Sequence, residues 1–349
     1  MMQYQNLGTT STKISRISLG TMTFGEQNTQ DEAHQQLDMA FEFGINFIDT
    51  AELYPIPPNS KSYGDTERYI SNWDKLKTSR DKLFLASKIA GPSTFTKYMR
   101  SGELKFDKIN LETALDQTLK RLNTDYLDLY QLHWPERNTN YFGTRDFNGF
   151  IDNNEEFTSF NERLTILNEF VKKGKIKHFG VSNETPWGLL KYLTESIKTN
   201  QAGIQSVQNP YNLLNRTFEI GLAEICHREK ISMLAYSPLA FGTLSGKYLN
   251  GKFPKGSRLE KFKSYNRYSN TNAVQATENY ISLAKEYELD PSQMAISYLL
   301  HKNYVSSVII GATNLQQLKI NMNSIDVKLS RELIDKIDLI HSQNPNPSP

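Results

Sequence analysis

Residues 126–133 read Tyr126-Leu127-Asp128-Leu129-Tyr130-Gln131-Leu132-His133, a short run of strand-forming side chains that ends on an ionisable one. Two runs upstream end the same way, Asn46-Phe47-Ile48-Asp49 and Leu83-Phe84-Leu85-Ala86-Ser87-Lys88. Side chains alternate faces along a strand, so Lys88 shares a face with Ala86 and Phe84, and His133 shares one with Gln131 and Leu129. If the three runs are neighbouring parallel strands, Asp49, Lys88 and His133 stand together on one rim.

Parallel pairing is what the rest of the chain predicts. Further strand candidates are Ile17 to Met22, Ile176 to Val181, Ile204 to Gln208, Ile231 to Tyr236 and Ser307 to Ile310, which makes eight, and stretches of helical period separate them. The helix ends are marked. Thr29 and Glu32 predict a capping box before Ala33 to Phe43, with Gly44 closing that helix in a left-handed turn. Asp290, Pro291 and Gln293 predict the same kind of start for the helix through Leu300, as Thr313 and Gln316 do for the last unit. No G-x-G-x-x-G follows the first strand to mark a Rossmann unit, so eight units in series favour one (β/α)8 TIM barrel over residues 1–349.

Some segments stand outside the repeat. A turn at Gly8 between two short strand candidates predicts an N-terminal β-hairpin. Long excursions at Gly91 to Lys108, Pro135 to Phe160 and Ala240 to Asn272 all follow strands, which in a barrel places them on the carboxyl-end face where active sites lie. Residues 344–349 are rich in proline and lack apolar period, and are expected to fray.

Composition narrows the function classes. The 40 Lys and Arg against 38 Asp and Glu leave a net charge of +2, with no broad field for nucleic acid or an anionic membrane. Any anion site is therefore local. The single cysteine, Cys226, lies in a helical pattern from Phe218 to Arg228, which excludes a disulfide framework and fits a reducing compartment. There is neither an 18-residue apolar run nor a basic-then-apolar amino terminus, so the expected location is cytoplasmic.

Asp49, Lys88, His133 and Tyr54, which follows in the loop after Asp49, suit the reduction of a carbonyl. That reaction needs a proton for the oxygen, and a phenol with an ordinary pKa of about 10 gives one up reluctantly. A nearby ammonium lowers that pKa, a carboxylate keeps the ammonium charged, and a histidine can orient the oxygen and stabilise its developing charge. Taken singly, each residue also has an ordinary explanation: a chain-turning Asp, a half-buried loop aromatic, a structural ion pair, a satisfied core histidine.

Phe47-Ile48-Asp49-Thr50-Ala51-Glu52-Leu53-Tyr54, Ala86-Ser87-Lys88 and Leu129-Tyr130-Gln131-Leu132-His133-Trp134-Pro135 resemble, in order and spacing, the tetrad segments of the aldo-keto reductase superfamily. Tyr54-Pro55-Ile56-Pro57-Pro58, Gly180-Val181-Ser182-Asn183-Glu184 and Gln208-Asn209-Pro210-Tyr211-Asn212-Leu213-Leu214-Asn215-Arg216 are most similar to its bacterial Tas-like branch, and the likeness runs from about Leu7 to Leu339. The resemblance implies an oxidoreductase that moves hydride from NADPH to an aldehyde or ketone, with Tyr54 as general acid, Lys88 and Asp49 tuning it, and His133 orienting the carbonyl. The channel-associated β subunits of the superfamily carry another residue at the histidine position. A regulatory NADPH-binding subunit with slow turnover is the alternative reading, and a Schiff-base aldolase acting through Lys88 fits poorly beside Asp49.

The resemblance also implies a cofactor path. Gly311, Thr313, Gln317 and Asn321 would face the adenosine half, where the last helix offers free N–H groups to an anion, while Ile320 stands where some relatives have an acidic adenine contact. Tyr236 would stack on the nicotinamide, and Ser237, Pro238, Leu239, Gly242 and Leu244 belong to the covering loop. Lys247 would meet the pyrophosphate and Arg258 the 2′-phosphate, which favours NADP over NAD. Ser182, Asn183 and Gln208 would handle the carboxamide, beside Gly20, Thr21, Met22 and Asp49. Phe24, Trp134, Tyr54 and His133 would line the substrate side, with Tyr98, Tyr141, Phe142 and Tyr211 as further loop aromatics. No metal is implied, the partner is a small carbonyl compound, and monomer and homo-oligomer are equally compatible with the sequence.

Overall fold

The computed structural model describes residues 1–147 and 155–349. Its strands are β1 (Tyr4–Asn6), β2 (Lys13–Ser15), β3 (Ile17–Gly20), β4 (Phe47–Asp49), β5 (Phe84–Ile89), β6 (Leu127–Leu132), β7 (Ile176–Ser182), β8 (Ser206–Pro210), β9 (Ser232–Tyr236) and β10 (Val305–Ile310). β3 to β10 form a closed parallel barrel in sequential order, with β10 returning to β3. All eight strand candidates are in it. β1 and β2 pair antiparallel outside it.

The register explains the barrel's contents. Phe47 pairs with Phe84, Ala86 with Leu129, and Lys88 with Gln131, so the inward positions of β4, β5 and β6 fall into layers. The lower layers are apolar: Phe47, Phe84, Ala86, Leu129, Leu234 and Ile309 pack together, with Leu7 and Ile14 from the hairpin filling the amino-terminal end. That plug depends on the Gly8 turn. Gly8 has φ +54° and donates to Ser232 Oγ at 2.7 Å, and a Cβ there would stand 2.5 Å from Gln205 Oε1. The outward positions Ile48, Leu85, Ile89, Leu132 and Val181 pack against the helices in the main core.

Helix Gln30–Glu42 begins as predicted: Thr29 accepts from Glu32 N, and Glu32 Oε2 accepts from Thr29 N at 2.9 Å. Replacing Thr29 with Ala removes one half of this box and is expected to lower stability by about 1 kcal/mol, read from the denaturant midpoint at unchanged m-value. Asp290 likewise caps Pro291–His301, although the Gln293 side chain reaches Ile320 O and closes no box. The helix after β10, Leu315–Asn323, starts one residue later than expected, and a further helix, Arg331–Gln343, follows it. Gln317 Oε1 takes the Thr313 N–H and hydroxyl, which leaves Asn314 as the extended cap.

Residues 344–349 lie against the body of the barrel: Ser348 N donates to Leu214 O at 3.1 Å, Asn270 Nδ2 to Pro347 O at 2.9 Å, and Arg216 N to Asn346 Oδ1 at 2.6 Å. Cys226 is buried, and burial pushes its thiol up to about 12, which suits a core residue and no redox role. Among the described residues, no helix is long and apolar enough to cross a membrane.

Candidate active site

Above the apolar layers the barrel interior turns polar. Asp49 ends β4, Lys88 lies near the end of β5, His133 follows β6, and Tyr54 sits in the loop after β4. Lys88 is fully buried. Its Nζ pairs with Asp49 Oδ2 at 2.6 Å and donates to Thr50 O at 2.9 Å. The other Asp49 oxygen accepts from Gln208 Nε2 at 2.8 Å and from Gln131 Nε2 at 3.4 Å. A buried ammonium–carboxylate pair is costly to desolvate and depends on further hydrogen bonds; here both Asp49 oxygens are engaged, and Lys88 Nζ has two acceptors for its three hydrogens among the described residues. Gln131 was legible in advance: it shares the His133 face of its strand.

Tyr54 lies over this pair. Lys88 Nζ is 5.1 Å from the centre of its ring, and the His133 ring stands edge-on to it with centroids 5.7 Å apart. Among the described residues, the Tyr54 hydroxyl makes no hydrogen bond to the protein. Burial pushes the phenol above its ordinary range, Asp49 adds to this, and Arg258 opposes. Lys88 is not among the groups that offset this rise, and its ammonium is paired with Asp49. Lys88 itself is lowered by burial, with Asp49 opposing. Burial, reinforced by Lys88, holds His133 well below the usual imidazole range, so the ring is neutral at pH 7. Its Nδ1 is enclosed without a partner among the described residues, which favours the tautomer with the proton on Nε2.

These groups open into a cavity of about 590 Å³. It is lined by every residue named above as a cofactor contact except Leu244, and by Tyr54, His133, Trp134 and Phe142 on the substrate side. Leu244 is turned into the core by the left-handed residues Phe241 and Gly242, so Phe241 and Ser245 face the cavity instead. Phe24 is also misplaced by the sequence reading. It is wholly buried in the core, where its carbonyl accepts from Thr66 Oγ1. Tyr98, Tyr141 and Tyr211 do not line the cavity, and the Tyr211 hydroxyl is bonded to Glu219. Phe95, Ile56 and Arg267 do line it and were missed, because nothing periodic marks which side chains of a long loop turn inward.

The amides at the rim are bonded to the protein. Asn183 Nδ2 donates to His133 O at 2.9 Å and Tyr236 Oη donates to Asn183 Oδ1 at 2.6 Å, tying β6, β7 and β9 together. Gln208, expected to meet a carboxamide, turns to Asp49 instead. Lys247, Arg258 and Arg267 all line the cavity, and none has a carboxylate within ion-pair distance among the described residues. Burial lowers the Lys247 ammonium, helped by Arg258, and burial lowers Arg258. Cations held at that cost are relieved by a bound anion.

A family model described as "Aldo/keto reductase family" matches residues 16–341. The chain is 44% identical over 348 residues to Protein tas of Escherichia coli (strain K12), covering all of both chains. It is 38% identical to an aldo-keto reductase of Babesia bovis over 253 residues, 69% of this chain and 89% of that one. With the L-glyceraldehyde 3-phosphate reductase of Escherichia coli (strain K12) it shares 28% over 336 residues, 93% of this chain and 88% of the other.

Proposed function

The chain belongs to the aldo/keto reductase family of oxidoreductases, and from that premise we propose that it reduces an aldehyde or ketone at the expense of NADPH. The observation that carries the reading is the meeting of a phenol with no hydrogen bond to the described residues and an imidazole ring above a buried Lys88–Asp49 pair, inside a cavity also lined by cations with no carboxylate within ion-pair distance among the described residues. When bound, NADPH supplies the hydride.

The residues do the rest. Tyr54 Oη gives its proton to the carbonyl oxygen as negative charge develops there. His133 Nε2–H donates a hydrogen bond to the same oxygen and orients it, a contribution that does not require the ring to be charged. Lys88 and Asp49 supply a fixed dipole beneath the phenol that needs no reorganisation during the reaction. Trp134, Phe95 and Phe142 give an apolar wall that keeps water from the oxygen.

The fit to a phosphorylated dinucleotide rests on Lys247 and Arg258, two cations of the covering loop without acid partners among the described residues. Lys247 would hold the pyrophosphate and Arg258 the 2′-phosphate, beside Gly311, Thr313, Gln317 and Asn321. Removing a charged hydrogen-bond donor costs about 1.5–3 kcal/mol, so Arg258→Ala is expected to raise the Kd for NADPH roughly 10- to 100-fold and leave that for NADH nearly unchanged. Fluorescence titration of both nucleotides decides it. For the function as a whole, the test is NADPH consumption over a panel of aldehydes and ketones. Tight NADPH binding without reduction of any carbonyl would transfer the protein to the regulatory class. A cytoplasmic site of action accords with its single, buried cysteine.

A further inference from the structure

Three cations line the cavity, and the phosphates of a dinucleotide account for two of them. Arg267 is the third. It leaves the same loop as Lys247 and Arg258, shares the Phe241 ring with Arg258 and also lies against Tyr268, with its guanidinium carbon 5.7 and 6.0 Å from the two ring centres. On its other side the loop after β6 makes room for it. Gly143 there has φ +94°, and a Cβ would stand 2.9 Å from Arg267 Nε. That loop leads inward through aromatic contacts: the Phe142 ring is 5.5 Å from Trp134, and Trp134 is 5.0 Å from His133.

We propose that Arg267 selects the substrate: the carbonyl compound carries an oxyanion, carboxylate or phosphate, that pairs with this guanidinium while its apolar middle lies along Phe142 and Trp134. The inference rests on the reductase reading and adds the substrate's class to it. Three observations support it. Arg267 has no carboxylate within ion-pair distance among the described residues, and the one acid of the cavity, Asp49, is taken by Lys88. Burial raises the Tyr236 phenol, and Arg267 opposes that rise by its charge and by a side-chain hydrogen bond to it, so the guanidinium stands at the inner rim. Arg267 also lines a second recess of about 490 Å³ with Gly143, Asn266, Asn270 and Pro347, so it stands where an anion entering from outside meets the cavity. A planar guanidinium flanked by aromatic rings is suited to bidentate pairing with either oxyanion.

The test compares 4-formylbenzoate and 4-formylphenyl phosphate with methyl 4-formylbenzoate, which has the shape of the first without its charge. In the wild type, kcat/KM for at least one anion is expected to exceed that for the ester by about 10-fold or more, the scale of one charge-assisted pair. The ratio falls toward one in Arg267→Met, is partly kept in Arg267→Lys, and drops again in Gly143→Ala, whose added methyl displaces the guanidinium. Which anion gains more identifies the oxyanion. An unchanged ratio in Arg267→Met overturns the proposal, as does a tenfold rise in the Kd for NADPH, which would make Arg267 a cofactor residue. Titrating the same compounds into protein saturated with NADP+ reads the preference without turnover. An anion preference there that depends on Arg267 sustains the inference even if no carbonyl is reduced, whereas equal affinity for anion and ester sinks it while leaving reduction intact.

Discussion

Tyr54→Phe is expected to lower kcat/KM for carbonyl reduction by about 100-fold or more, the scale of a lost general acid, with the Kd for NADPH within about twofold of wild type. The substitution removes only the hydroxyl. That hydroxyl makes no hydrogen bond to the protein among the described residues, so nothing structural is orphaned and the melting temperature should hardly move. Equal rates in the two proteins would remove Tyr54 from the mechanism. The pH profile gives a second check. The phenol is pushed above its ordinary value of 10.0 and the imidazole well below 6.5, so neither group should give a limb in wild-type kcat/KM between those limits, and an alkaline fall there would report Lys88, which burial depresses, losing its proton. A limb near pH 8 that vanishes in Tyr54→Phe would show that burial does not set the phenol's pKa during turnover.

What the sequence disclosed followed from regularity. Strand alternation placed Asp49, Lys88 and His133 on one inward rim, and the observed register does so because Asp49 pairs with Ala86 and Lys88 with Gln131. The Thr29 and Asp290 caps could be read because a short side chain at a helix start has few other uses. The errors lie where the chain has no period. Phe24 and Leu244 sit in turns whose left-handed or bent backbone decides whether a side chain faces core or cavity, and residue type alone does not carry that information. Arg267 was missed for the same reason, since an arginine in a long loop reads as surface charge until Gly143 and Phe241 are seen to enclose it. The polar contacts of the tail with Leu214, Arg216 and Asn270 were likewise not legible, since those residues are distant in sequence. Charge effects were the hardest to foresee. Lys88 was expected to lower the Tyr54 phenol, whereas burial and Asp49 raise it and Lys88 itself is paired with Asp49 at 2.6 Å.

That pair makes Asp49→Asn strongly destabilising. Lys88 is fully buried, and the amide would leave its ammonium with neutral partners only, Thr50 O at 2.9 Å among them. Breaking one side of a buried pair costs about 3–5 kcal/mol, because the surviving charge keeps its desolvation penalty and loses its compensation. The variant has a way to lose that charge. Burial already depresses Lys88 below its ordinary value of 10.5, and Asp49 is the first of the groups opposing the depression, so the amide lowers the folded-state value further. Between that lowered value and 10.5, the unfolded chain then binds a proton that the folded protein does not, and stability must rise with pH across the window. Asp49→Asn should therefore be weakest near neutral pH and recover part of its loss toward pH 10, with a steeper dependence than wild type, as measured by denaturant midpoints at a series of pH values. Reduction should not recover in parallel, since a neutral Lys88 cannot supply the dipole beneath Tyr54. A variant as stable as wild type at pH 7 would mean that Gln131 and Gln208 can satisfy the ammonium without the carboxylate, and the pair would then be there for catalysis alone.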